Sequence, residues 1–208
     1  MNTCIGIFAR APRLGEVKTR IAKDSSDERA LDIYTQLLRH TLHVAHATGY
    51  SLYVFATDVL SPELIGLAEE FNARIYAQSE GDLGERMANA LAMMHLEYPQ
   101  ALLIGSDCAV LTPEHLIEAS EALVNTDCVL TPAEDGGYVL IGTANQLVKK
   151  STLKSVTLQC VRWSTEFAMQ DTLRGLQQIA ARVTILEQLW DVDTIADVRR
   201  ACALGLVK

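Results

Sequence analysis

TCIGIFARAPRLGEVKTR, residues Thr3 to Arg20, sets an apolar run directly against a loop that carries Pro, Gly and four cations. Thr3–Ala9 has the length and apolar content of a buried strand. The loop then presents Arg10, Arg13, Lys18 and Arg20 against one acid, Glu16, although the whole chain has a formal net charge of −8. Something anionic is the natural guess: Lys18 and Arg20, with Arg10 nearby, can hold a phosphate by charge and bidentate hydrogen bonds. A solvated loop whose cations merely balance nearby acids is the competing reading. Neither standard nucleotide fingerprint is present. Gly15-Glu16-Val17-Lys18 lacks the Gly-Lys pair and spacing of a P-loop, and no G-x-G-x-x-G occurs.

Outward from this stretch, apolar runs and helical periods alternate. Ser25 and Glu28 have capping-box spacing ahead of Leu31, Tyr34, Leu38, Leu42 and Ala45, which predicts an amphipathic helix ending at Gly49. Strands are expected at Ser51–Thr57, Ala73–Ala77, Ala101–Gly105, Cys128–Thr131 and Arg182–Leu186, and Gly137–Gly142 is a further apolar run. Helices are expected from Ser61-Pro62 to Phe71, over Glu85–Glu97, from Thr112-Pro113, over Ser164–Ile179 and after Thr194. Such alternation predicts one α/β domain over residues 1–208, a mostly parallel sheet sandwiched by helices in a Rossmann-like arrangement. Ligands of such sheets bind at the carboxyl ends of the strands, so each loop that follows a strand is a candidate site.

Composition narrows the function classes. With 208 residues, 49% hydrophobic and 21% charged, the chain is long enough for one well-buried core. Its acidic balance argues against nucleic-acid binding, which needs a broad basic face. No apolar run approaches the roughly 20 residues of a membrane span, and the start lacks the basic and long apolar segments of a signal peptide, so a cytoplasmic protein is expected. Five cysteines, Cys4, Cys108, Cys128, Cys160 and Cys202, are widely spaced with no C-x-x-C, which suggests neither disulfides nor zinc.

Three more loops can carry chemistry. Asp107 in Gly105-Ser106-Asp107-Cys108 follows a strand, where a carboxylate can hold Mg2+ while substrate phosphates complete its shell. Its alternative is to order the turn or cap the next helix. Asp135 precedes Gly136 and Gly137, a pair that allows close backbone approach to a ligand and equally suits a hairpin turn. Asp193, in Trp190-Asp191-Val192-Asp193-Thr194, can be the second carboxylate on the same cation, with Asp191 as alternate, or can cap the last helix. The string approaches the D-x-D-x-T of aspartyl phosphatases but has Ile195 where Thr or Val is wanted, and only a short tail follows. In Gly81-Asp82-Leu83-Gly84-Glu85-Arg86, Gly84 and Arg86 can face a base, sugar or phosphate, or belong to a helix-capping turn. Helical His40, His43, His46 and His95 read as surface or packing residues, and Cys108 has no base nearby in sequence to make it a nucleophile.

Taken together, FARAPRLGEVKTR, GDLGERM, IGSDC, PAEDGGYVLIG and DVDT resemble the bacterial glycosyltransferase-A-like family DUF2064 over nearly the whole chain. That resemblance implies the nucleotide-diphospho-sugar transferase fold, shared with nucleotidyltransferases that make cytidylyl-sugars, molybdopterin cofactors or guanylyl-phospholactate. It puts Lys18 and Arg20 where relatives bind triphosphate, Asp107 where they hold the metal and Asp193 where several supply a second metal carboxylate. The family usually has Pro after the Ser-Asp-Cys triplet, and here Ala109 stands there. The expected activity is metal-dependent nucleotidyl or glycosyl transfer with Mg2+ or Mn2+, on a small nucleotide or nucleotide-sugar and an acceptor whose hydroxyl Asp135 orients. The alternative from another class is a noncatalytic nucleotide or sugar-phosphate binding module.

Overall fold

The computed structural model describes residues 2–149, 158 and 160–208. The strands are β1 (Thr3–Ala9), β2 (Ser51–Ala56), β3 (Ala73–Ala77), β4 (Gln100–Ile104), β5 (Cys128–Pro132), β6 (Tyr138–Ala144) and β7 (Val183–Ile185). The helices are α1 (Thr19–Lys23), α2 (Asp27–Ala47), α3 (Pro62–Glu70), α4 (Leu83–Met94), α5 (Pro113–Ala122), α6 (Asn145–Lys149), α7 (Ala168–Gln178) and α8 (Ile195–Ala203). One seven-stranded sheet runs β3-β2-β1-β4-β6-β5-β7. All its pairings are parallel except those of β6, which lies antiparallel to both β4 and β5. The expected mostly parallel α/β sandwich is therefore the observed one.

Strand alternation sorts side chains onto two faces. Ile5 and Ile7 of β1 and Leu102 and Ile104 of β4 join Leu38, Leu42, Leu64 and Leu116, from α2, α3 and α5, on one face. Cys4, Ala101, Leu103 and Ile141 meet Met87, Leu91, Met94 and Leu176, from α4 and α7, on the other. A third cluster of Ile21, Ile33, Leu37, Trp190, Val192 and Val198 binds α1, α2 and the final segment together. That cluster brings the chain's last loop back to its first.

Most predicted elements lie where the sequence puts them, with informative shifts. The cap of α2 is Ser26, whose hydroxyl accepts from Arg29 N at 3.2 Å, one residue after the expected Ser25. Ser25 is already engaged, donating to Ile21 O at 2.7 Å to close α1. That short helix and α6 have too few periodic positions to register in sequence. Helix α7 begins at Ala168 rather than Ser164, since Ser164 has a left-handed backbone with φ 61° and Arg162 folds over to meet Asp171. The Gly137–Gly142 run is the return strand of a hairpin with β5, so Asp135-Gly136-Gly137 is its turn.

Two stability consequences follow from these contacts. A Cβ on Gly142 of β6 would stand 2.5 Å from a Val129 methyl and 2.6 Å from a Leu102 methyl, with both strands fixed by pairing. Gly142→Ala is expected to cost about 1–3 kcal/mol in urea unfolding, as overpacked cores do. Asp171 is buried and accepts Arg162 Nε at 2.8 Å and Nη2 at 2.9 Å, and these bonds lower its carboxyl from 3.8 to about 2. A depressed carboxylate stabilises the fold above its unfolded value and loses that contribution as it protonates. The Tm advantage of wild type over Asp171→Asn should therefore be full above pH 4 and shrink as pH falls from 3.8 towards 2.

Candidate functional site

The site lies at the carboxyl ends of β1 and β4. After Ala9 the chain is clamped: Arg10 N donates to the Tyr34 hydroxyl at 2.8 Å, and that hydroxyl donates to Arg10 O at 3.0 Å. Ala11 N is held by Thr57 Oγ1, and Val17 is buried, so the cationic loop is pinned at both ends. Lys18 follows with φ 46° and ψ 45°, a left-handed conformation that costs a residue with a side chain on the order of 1 kcal/mol or more. This backbone turns its side chain inward, leaving it only 6% exposed.

There the Lys18 ammonium lies 2.9 Å from Asp107 Oδ2 and 2.9 Å from Asp193 Oδ1. Both carboxylates touch one nitrogen, so their oxygens lie within twice that distance of each other. Burial opposes the charge on Lys18, but the fields of Asp107 and Asp193 and their hydrogen bonds outweigh it and hold the amine above its usual range. Arg20 is 72% exposed and reaches Asp193 Oδ2 at 3.8 Å. Asp191 stands beside the pair; burial, then the negative fields of Asp107 and Asp193, push its carboxyl up to about 7.

The two aspartates are available because other groups take their alternative jobs. Thr112 N donates to His115 Nδ1 at the start of α5, leaving Asp107 outside the cap. Thr194 and Asp197 form the capping box of α8, with Thr194 N donating to Asp197 Oδ2 at 2.8 Å and Asp197 N donating to Thr194 Oγ1. Val192 N donates to Asp107 O at 3.0 Å and locks the two loops in register.

A cavity of about 750 Å³ opens over this cluster. Arg10, Lys18, Arg20, Arg86, Asp107, Asp135 and Asp193 all border it, and Phe8, Met87, Leu103 and Ile141 give it an apolar floor. Asp135 Oδ1 accepts from Gly137 N at 2.8 Å, so the hairpin turn itself aims this carboxylate. The expected glycines play a different part in the geometry. A Cβ on Gly136, at φ 87°, would strike the Glu166 carbonyl at 2.2 Å, and one on Gly84 would strike Leu158 O at 2.4 Å and the Trp163 ring at 2.9 Å. At both positions the close approach is made by the protein's own chain, and Gly137 turns its N–H to Asp135. Arg86 Nε donates to Gly81 O at 2.8 Å, which fixes its guanidinium beside the cavity.

Sequence reasoning missed Ser164, Thr165 and Glu166, which line the cavity, and Thr57 and Gln78 at the ends of β2 and β3. Only their position after a strand could have flagged the latter pair. The donor set of Asp107 and Asp193 is hard carboxylate oxygen of the kind that suits Mg2+ or Mn2+. Two carboxylates carry more negative charge than the one ammonium of Lys18 balances, so a cation fits the site. Among the described residues no three His, Cys, Asp or Glu side chains gather as a ready-made metal cage. Cys108 is buried, which pushes its thiol up to about 12 and removes it as a nucleophile. Labelling the native protein with a thiol reagent at pH 8 should modify exposed Cys160 and Cys202 and spare Cys4, Cys108 and Cys128, by peptide mass spectrometry.

Comparison with known proteins identifies a family for the chain and solved structures that share its fold. Residues 40–165 match the model of a family described as an uncharacterized protein conserved in bacteria, DUF2064. No curated protein matches the sequence. A protein from Desulfovibrio desulfuricans G20, proposed to be a nucleotide-diphospho-sugar transferase, is 24% identical and superposes with a TM-score of 0.83 over 98% of this chain and 96% of its own. The 4-diphosphocytidyl-2C-methyl-D-erythritol synthase of Anaerococcus prevotii DSM 20548 superposes with a TM-score of 0.67 at 10% identity, over 98% and 97% of the two chains. CMP:2-keto-3-deoxy-manno-octonic acid synthetase, solved with CTP, gives 0.57 at 12% identity, over 99% and 98%. The chain shares their fold. Among the described residues no helix is long and apolar enough to cross a membrane.

Proposed function

The chain belongs to the bacterial DUF2064 family, and from that premise we propose that it is a metal-dependent nucleotidyl or glycosyl transferase acting on a nucleotide or nucleotide-sugar. One observation carries the reading: Lys18, Asp107 and Asp193, from three distant parts of the chain, meet at the edge of a cavity of about 750 Å³. The fold shared with cytidylyl-transferring enzymes supports a nucleotide as the substrate class. Localisation in the cytoplasm fits a nucleotide-dependent enzyme and belongs to the same proposal.

In this reading the cationic loop binds phosphates. Exposed Arg20 and Arg10 meet them from the rim, and Lys18 stabilises charge that develops on the leaving group, a task for a preorganised cation in a partly desolvated site. Asp107 and Asp193 would hold Mg2+ or Mn2+, which when bound neutralises phosphate oxygens. Asp135 has one carboxylate oxygen committed to Gly137 N, and the other orients an acceptor hydroxyl on the far side of the cavity. The apolar floor of Phe8, Met87, Leu103 and Ile141 takes the less polar part of a ligand. Catalysis is then positioning and electrostatics with no covalent intermediate. Nucleotidyl transfer releases pyrophosphate and glycosyl transfer releases nucleoside diphosphate, so identifying the released product separates the two.

A thermal-shift screen of nucleoside triphosphates and nucleotide-sugars, with and without Mg2+, tests the assignment. A cognate ligand at a hundred times its Kd stabilises the folded state by about 2.7 kcal/mol, a Tm rise of several degrees for a chain this size. That rise should require Mg2+ and should be lost in Asp107→Ala. A rise that survives Asp107→Ala rules out its metal role, and a rise indifferent to Mg2+ with no turnover favours the noncatalytic binding module.

A further inference from the structure

Lys18 does something that a lysine kept only for a substrate phosphate would not. Its ammonium is withdrawn from the cavity's solvent and bridges two carboxylates at equal distances of 2.9 Å. Two of its three N–H donors are engaged there, in the gap where two aspartates converge. A divalent cation and a lysine ammonium repel, so each weakens the other's hold on the same pair of oxygens and the two compete for them. We propose that Lys18 and a divalent cation are alternative occupants of the gap between Asp107 and Asp193, the lysine holding the carboxylates together until the ion displaces it towards the substrate's phosphates. This rests on the transferase reading above and adds to it an order of events, in which the cation loads before Lys18 is free to bind phosphate.

The surroundings suit such an exchange. The backbone at Lys18 is fixed, by buried Val17 on one side and α1 on the other, so the move needs only the flexible four-carbon stem. Asp107 and Asp193 share one buried ammonium, and the further cation, Arg20, is exposed and 3.8 Å from Asp193 Oδ2, so the pair keeps negative charge for an ion to meet. Asp193 is not needed as the cap of α8, which Thr194 and Asp197 form, and besides Lys18 it faces exposed Arg20 at 3.8 Å. Among the described residues the Asp107 carboxylate accepts from the Ser106 hydroxyl at 3.3 Å besides Lys18. Neither acid is taken up by a helix cap, so both can turn to either cation.

Two measurements decide it, both with metal alone. First, Mn2+ binding is titrated by electron paramagnetic resonance on wild type and Lys18→Met. Removing a competitor that shares both ligands should tighten Mn2+ binding about tenfold, the size of an ordinary coupling between two ligands. Equal or weaker binding by Lys18→Met overturns the exchange, as does the absence of Mn2+ binding by both proteins, which would make the gap permanently the lysine's. Second, wild type is treated with an amine-reactive ester in EDTA and in Mg2+, and labelling is read by peptide mass spectrometry with exposed Lys23 as reference. Lys18 should be protected in EDTA and several-fold more reactive in Mg2+; unchanged labelling overturns the proposal even if Lys18→Met does not fold. Failure here leaves the metal-dependent nucleotide stabilisation of wild type standing. Loss of that stabilisation with Mn2+ competition intact would instead remove the transferase reading and keep the exchange.

Discussion

Two carboxylates that share a small space repel each other, and the ammonium of Lys18 is what lets Asp107 and Asp193 do so here. The contact joins the loop after β1, the loop after β4 and the segment before α8, which are separated by most of the chain. It is supported by the apolar cluster in which Ile21 and Ile33 are buried with Trp190 and Val192, which brings the last segment to the first loop. Apolar burial sets the approach, and the ion pairs set the register within it. The left-handed backbone of Lys18 is the strained element in this arrangement, held where its side chain must turn inward rather than outward with Arg20.

The antiparallel strand β6 has a matching role on the other side of the cavity. Because β5 and β6 form a hairpin, their turn projects beyond the sheet's carboxyl edge and brings Asp135 over the site, which a parallel crossover would not do. The turn is braced twice. Gly136 lets the Glu166 backbone press against it, and Met169 N donates to Gly136 O at 3.0 Å. Glu134 meets Arg200 of α8 at 2.8 Å, and the same guanidinium lies 4.1 Å over the Trp190 ring. Helix α8 thus links the hairpin turn to the segment that carries Asp193.

The chemistry that such a cavity can support follows from how its charge is distributed. Cations line the rim near the amino terminus, acids lie at its centre and on the facing turn, and the floor is apolar. A ligand with one anionic end, one less polar end and a nearby hydroxyl-bearing partner would satisfy all three zones, which is the composition of a nucleotide or nucleotide-sugar with its acceptor. Thiol chemistry has no place in it, since Cys108 beside Asp107 faces into the core.

The fold could be read from the sequence because its determinants are local. Strands such as Thr3–Ala9 and Ala101–Ile104 are continuous apolar runs, and the periodicity of Leu31 to Ala45 needs no partner to be recognised. Lys18, Asp107, Asp135 and Asp193 were likewise visible as polar residues placed just after strands, a positional signal that holds for any sheet of this kind. Other features depended on neighbours distant in sequence. Whether Gly84 and Gly136 admit a ligand or the protein itself was decided by Trp163 and Glu166, and whether Asp193 caps a helix was decided by Thr194 and Asp197. The direction of β6 was decided by pairing with β4 and β5, since an apolar strand looks the same read either way. The sequence alone thus determined which residues carry charge and where along the chain the strands end. Only the tertiary structure decided that the lysine points at the two aspartates, because which charges meet depends on how loops remote in sequence are packed together.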